Sequence, residues 1–275
     1  MASTRYDSPA PGLEPGAGGA SRLRPPVGPL LLLVAVVGVL ALPLAAGAER
    51  SASAPRLPDL GVAPIEHSLL TIAMDGTKKL RFTVSIANVG AGPIEVDASR
   101  PSLGAPWTSS QRIFRADGTS FRVATPGARM VFVGSKAHGH WHIRGAARYE
   151  LVRKGSTMPV RIRYKRGFCL FDSTSYKLRL PGAPRRSTYP RDDCGQKSDL
   201  RLAMGVSVGW KDDYYWRIPG QEMDITNLPN GTYRLFVKAD PRNWFREQNE
   251  KNNVTWVDLR IGAMSVDVIG RSPRL

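Results

Sequence analysis

Leu80-Arg81-Phe82-Thr83-Val84-Ser85-Ile86 alternates apolar and polar side chains without a break. A period of two puts the apolar set on one face of an extended strand and the polar set on the other. A helix would scatter the same residues around its axis. The run stops at Asn88-Val89-Gly90-Ala91-Gly92-Pro93, a cluster of turn formers, and Ile94-Glu95-Val96 resumes it. Further along, Gln111-Arg112-Ile113-Phe114-Arg115 and Phe121-Arg122-Val123 flank Ala116-Asp117-Gly118-Thr119, an Asp-Gly hairpin signal. Arg148–Val152, Val160–Tyr164, Met223–Thr226, Tyr233–Val237 and Val254–Ile261 repeat the pattern, with Leu228-Pro229-Asn230-Gly231 as a turn. No helical stretch follows the N-terminal apolar run. The expected fold is all-β: an antiparallel sandwich-like domain with long loops, preceded by one N-terminal apolar helix.

The chain has 275 residues and a formal net charge of +16. Residues 1–24, rich in Pro, Gly, Ala and Ser, read as a disordered cytosolic leader. Residues 25–48 are uncharged, contain Leu30–Leu40, and end in Ala46-Gly47-Ala48. This is a signal peptide or a transmembrane anchor, with cleavage after the small-x-small site favoured. The basic flank at Arg22 and Arg24 stays cytoplasmic, so everything after Ala48 is exported, secreted or membrane-anchored. A linker over 49–56, one domain over 57–262 and a C-terminal tail over 263–275 complete the organisation. Arg5, Arg22 and Arg24 against Asp7 and Glu14 leave +1 in the first 48 residues, so the exported part keeps +15. Such a surface expects anionic surroundings. Export disfavours nucleic acid and points to an acidic cell-envelope polymer or lipid. The two cysteines, Cys169 and Cys194, are expected to pair in an oxidising compartment. A Cys-rich zinc module is excluded. The polar stretch between Asp172 and Leu200 reads as a long surface loop pinned by that bridge.

Three of the four histidines fall in Ala137-His138-Gly139-His140-Trp141-His142. On a strand, His138, His140 and His142 share one face. In a flat strand the outer two Cα atoms lie about 13 Å apart, so their side chains must lean together to reach one ion. Gly139 permits the bulge or twist this needs. Three neutral imidazoles suit Zn, Cu, Ni or Fe, and the motif alone does not choose.

In order along the chain, several blocks resemble the lysyl oxidase family, especially its shorter bacterial-type members. They begin with Leu57-Pro58-Asp59-Leu60 and Gln111–Gly118, the latter leading into His138–His142 and Ala147–Leu151. Next come Lys165-Arg166-Gly167-Phe168-Cys169-Leu170-Phe171-Asp172 and Gly205–Tyr214 running on to Asp224-Ile225-Thr226. Asn230–Tyr233 and Glu247 to Asn253 close the set. The histidine block followed by the Lys-to-Cys block is the specific part. The resemblance implies oxidation of primary amines, peptidyl lysine or small amines, to aldehydes by O2, with release of ammonia and hydrogen peroxide. It implies Cu2+ at His138, His140 and His142. It implies a lysine tyrosylquinone built from Lys165 and Tyr214, with Asp212 in the place of a family aspartate and offered as the catalytic base. The amine of Lys165 must be neutral to attack a ring, and its neighbours Arg163 and Arg166 are expected to depress its pKa by like-charge repulsion. The competing reading is a non-catalytic exported copper-binding or envelope-binding β-sandwich.

Overall fold

The computed structural model describes residues 53–134, 139–165 and 167–275. The expected leader and apolar segment, His138 and Arg166 lie outside the described residues. In chain order the strands are β1 (Pro55–Arg56), β2 (Leu60–Val62), β3 (Ser68–Ile72), β4 (Lys78–Phe82), β5 (Val84–Asn88), β6 (Ile94–Ser99) and β7 (Thr108–Arg115). Then come β8 (Ser120–Ala124), β9 (Met130–Val133), β10 (His140–Ile143), β11 (Ala147–Arg153), β12 (Pro159–Tyr164) and β13 (Thr174–Ser175). A 3-10 turn at Arg191–Cys194 precedes β14 (Arg201–Val206) and β15 (Trp210–Tyr214). The chain ends with β16 (Glu222–Asp224), β17 (Gly231–Ala239), β18 (Val254–Ile261) and β19 (Val266–Arg271).

The described residues are all-β, and their strands pair antiparallel in five short sheets. The largest ordered run is β12-β11-β17-β18-β19. Its inner face is set by alternation: Tyr233, Leu235 and Val237 on β17 are fully buried, as are Tyr149 and Leu151 on β11 and Val257 and Leu259 on β18. Its outer face carries Arg234, whose guanidinium bonds Asp258 at 2.7 Å and lies 3.6 Å from the Trp256 ring centroid. β17 and β18 lie against β2, and β19 against β3, so a second layer covers the buried face. Across that seam Phe82 meets Tyr149 edge-to-face with ring centroids 5.0 Å apart, a contact worth about 1 kcal/mol beyond its buried area.

The Asp-Gly hairpin forms as expected. β7 pairs β8, Arg115 N–H donates to Thr119 O at 2.8 Å, and Gly118 takes φ 84°. One expectation needs correction. Leu80–Ile86 is not a single strand. β4 pairs with β3 and β16, whereas β5 pairs with β2 and β15. Thr83 stands at the crossover, its N–H donating to His67 O. Alternation survives the crossover, but β5 is buried on both faces. Ser85, on the polar face of the alternation, donates its hydroxyl to the buried Asp213 carboxylate.

Two stretches read as connecting or trailing chain supply edge strands. Pro55–Arg56 pairs β7, and Val266–Arg271 pairs β18. Val266 and Val268 pack on the core. The polar stretch from Asp172 to Leu200 does run mainly as loop, interrupted by β13 and the 3-10 turn. It is tied at its base by the Cys169–Cys194 disulfide, with Cα atoms 5.7 Å apart. Asp172 holds it from within, accepting from Thr188 N–H at 2.8 Å, Tyr189 N–H at 3.2 Å and Ser207 Oγ–H at 2.8 Å.

Candidate active site

β10 pairs with β9 in a hairpin that sets His140 opposite Val133 and His142 opposite Val131. The spacing works as extended backbone dictates. His140 and His142 fall on one side of β10, with ring centroids 4.7 Å apart. Trp141 takes the other side and anchors the strand. It stacks edge-on against Trp107 and Phe132, and its Nε1–H donates to Gln196 O at 2.8 Å. The Arg100 guanidinium covers both Trp107 and Trp141. The strand therefore cannot roll without breaking a packed aromatic cluster, which holds the imidazole face in place.

The segment 167–169 lies along the end of β10. Ile143 N–H donates to Phe168 O at 2.8 Å and Phe168 N–H returns a bond to Ile143 O at 3.0 Å. Gly167 makes this approach possible, because a Cβ at that position would sit 2.3 Å from His142 Cβ. On the far side of the segment is β15. Tyr214 ends that strand, buried against Phe168 with ring centroids 4.4 Å apart. Cys169 N–H donates to the Tyr214 phenol oxygen at 2.7 Å. The Lys165 ammonium nitrogen lies 4.4 Å from the centre of the Tyr214 ring. The disulfide at Cys169 thus fixes a backbone donor that orients the phenol.

Asp212 shares the Tyr214 face of β15 by alternation. It is fully buried, and its Oδ2 accepts no hydrogen bond from the described residues. Burial first and the neighbouring Asp213 second push its carboxyl well above the usual carboxylate range, while the Lys165 charge pulls the other way. Asp213 is committed elsewhere, to Lys211 at 2.9 Å and Thr174 Oγ1 at 2.6 Å as well as Ser85. The Lys165 amine is brought down to about 8, chiefly by burial; Asp212 opposes the shift and Arg163 adds a smaller push. The expected cause is thereby corrected: desolvation does most of what like-charge repulsion was expected to do. Tyr214 is held well above its ordinary value by burial and by Asp212, with the Cys169 N–H acting in the opposite sense.

A pocket of about 320 Å³ opens onto this cluster, lined by His140, Tyr214, Tyr215, Phe171, Ile218 and Arg191. It reaches the phenol-bearing residue and one imidazole from the same side. Of the residues expected from sequence, His140, His142, Lys165, Tyr214, Asp212, Cys169 and Cys194 gather around β10, β15 and the segment 167–169. His138 falls outside the described residues. Among the described residues, no three His, Cys, Asp or Glu side chains converge as a metal-binding group. Two imidazoles on one strand face fit copper as a donor set, and an amine stacked on a phenol ring fits the precursor of a lysine tyrosylquinone. Gly167, Trp141 and Arg191 were not singled out by sequence reasoning. Gly167 and Trp141 left a signal there only as members of the Lys-to-Cys and histidine blocks.

An antiparallel all-β domain with paired histidines and a buried lysine set against a buried tyrosine has the makings of a metal-assisted oxidase. The sequence profile of the lysyl oxidase family matches residues 108–270. The chain belongs to the lysyl oxidase family, whose general activity is copper-dependent oxidation of amines. No curated protein matches the chain.

Proposed function

We propose that the protein oxidises primary amines, peptidyl lysine or small amines, to aldehydes, with copper held by His138, His140 and His142 and a lysine tyrosylquinone formed from Lys165 and Tyr214. The observation that carries this reading is the Lys165 nitrogen 4.4 Å from the centre of the Tyr214 ring. Two residues far apart in sequence have no packing reason to bury an amine against a phenol, since a lysine leaves water at a cost. When present, copper supplies the redox chemistry with O2 that oxidises the phenol, and the quinone supplies the carbonyl that accepts the substrate amine. The chain supplies the rest. Burial keeps a large fraction of Lys165 neutral near pH 8, which a nucleophilic amine requires. The Cys169 N–H holds the phenol oxygen, limiting rotation of the ring. Asp212, on the Tyr214 face of β15, is the group proposed to take a proton from the substrate carbon once it is itself ionised. Phe171, Tyr215 and Ile218 supply apolar surface along the approach. The overall balance is one primary amine, one O2 and one water converted to aldehyde, ammonia and hydrogen peroxide.

Export after residue 48, with the domain secreted or anchored outside the cytoplasm, is part of this proposal, as is an acidic envelope polymer or lipid as the surrounding surface. The test is a carbonyl reagent. The chain produced with copper in air should form a coloured adduct with phenylhydrazine, and Tyr214→Phe should abolish it. A copper-loaded protein inert to phenylhydrazine would leave the non-catalytic copper-binding domain as the reading.

A further inference from the structure

Three arginines from three turns line one cavity with Lys165. Arg144 N–H donates to Arg129 O at 2.8 Å, so these two are cross-strand neighbours where the β9–β10 hairpin opens. Asp240 N–H donates to Ala146 O at 2.9 Å, which lays the 240–244 turn beside them. From that turn the Arg242 guanidinium lies 4.9 Å from the Tyr164 ring centroid and 5.4 Å from that of Trp244. Arg129, Arg144, Arg242, Tyr164, Trp244 and the buried Lys165 line a cavity of about 530 Å³. No carboxylate lines it. Among the described residues, none of the three arginines takes part in a salt bridge.

Like charges held opposite one another repel, and the nearest carboxylate of the turn, Asp240, faces its own backbone, accepting from Phe245 N–H at 2.9 Å. The backbone also bears a cost for this arrangement. Asp240, at φ 34°, and Asn243, at φ 51°, are the non-glycine residues with positive φ among those described, and they bracket Arg242. A Cβ at Gly127 would fall 2.2 Å from Trp244 Nε1, so a glycine there lets the indole close over the cavity. The geometry points to a binding site for a phosphate ester. Guanidinium forks match the oxygens of a tetrahedral oxyanion, and a site with several cations suits a divalent one. The cavity has room for more than the bare anion, and Tyr164 and Trp244 offer apolar surface to the esterified group. This inference does not rest on the amine-oxidase reading.

Calorimetric titration of the full chain at fixed ionic strength, with glycerol phosphate as probe, tests it. Saturable binding is expected, weakened at least about tenfold in R144Q/R242Q, as loss of charge-assisted hydrogen bonds predicts. Binding should persist in R185Q/R186Q, which removes the same charge from an exposed loop. The single variant R242Q, whose side chain is exposed and leaves no core void, carries the same test if the double variant does not fold. Two further arms identify the source. Competition by inorganic phosphate marks the free anion as sufficient, and recruitment to phosphatidylglycerol but not phosphatidylcholine vesicles, lost in R144Q/R242Q, marks a lipid headgroup. Absence of saturation, or equal weakening in R185Q/R186Q, would mean bulk charge alone and would overturn the site.

Discussion

At the scale of single residues, Lys165 decides the chemistry. Its amine is depressed from 10.5 to about 8, and burial is the leading cause. Between those values the unfolded chain holds a proton that the native one has released, so this group makes stability rise with pH across that window. The same shift controls reactivity. Quinone formation, followed by absorbance after copper is added to metal-free protein in air, should accelerate as pH rises through about 8 and level off above it. A rate still climbing toward pH 10.5 would mean that Lys165 is solvated. Little of this was legible in the sequence. HxHxH announced a shared strand face by spacing alone, and His140 and His142 do share it. Lys165 and Tyr214, in contrast, look like a solvated charge and a packing aromatic until a resemblance singles them out. Their meeting is set by long-range strand pairing, which no local pattern encodes.

At the scale of elements, the site is a junction between β10, β15 and the segment 167–169. Its tightest point is Gly167 against His142, where no side chain fits. Gly167→Ala should push the segment off β10 and turn the His142 ring. Copper affinity is then expected to fall about 10–100-fold, the size seen when the supports of a metal ligand are lost. Equilibrium dialysis measures it, and unchanged affinity would show that β10 positions its histidines without this contact. The elements themselves were legible where alternation was local, as in the β7–β8 hairpin with its Asp-Gly turn. They were misjudged at Leu80–Ile86, because a period of two continues smoothly through a crossover. Strand pairing and the burial of both faces of β5 distinguish the two halves, and both are properties of the assembled layers.

At the scale of the whole molecule, the C-terminal residues belong to the domain. β19 extends the five-stranded sheet, Val266 and Val268 pack on the core, and the Arg271 guanidinium donates to Ile65 O. Removing residues 263–275 should cost about 2 kcal/mol through lost apolar burial, read as a lower urea midpoint. An unchanged midpoint would make this stretch dispensable. The signal was present in the alternation of Val266, Asp267 and Val268, but a short run at a chain end reads equally as a tail. The layered β-architecture as a whole brings residues from distant parts of the chain into contact, Lys165 against Tyr214 foremost. Peptide mass spectrometry of the chain matured with copper in air tests the cofactor proposed from that contact most directly. A covalent cross-link joining Lys165 to Tyr214, absent from metal-free protein, is the predicted result. Separate, unmodified peptides bearing Lys165 and Tyr214 from copper-loaded, aerated protein would contradict it.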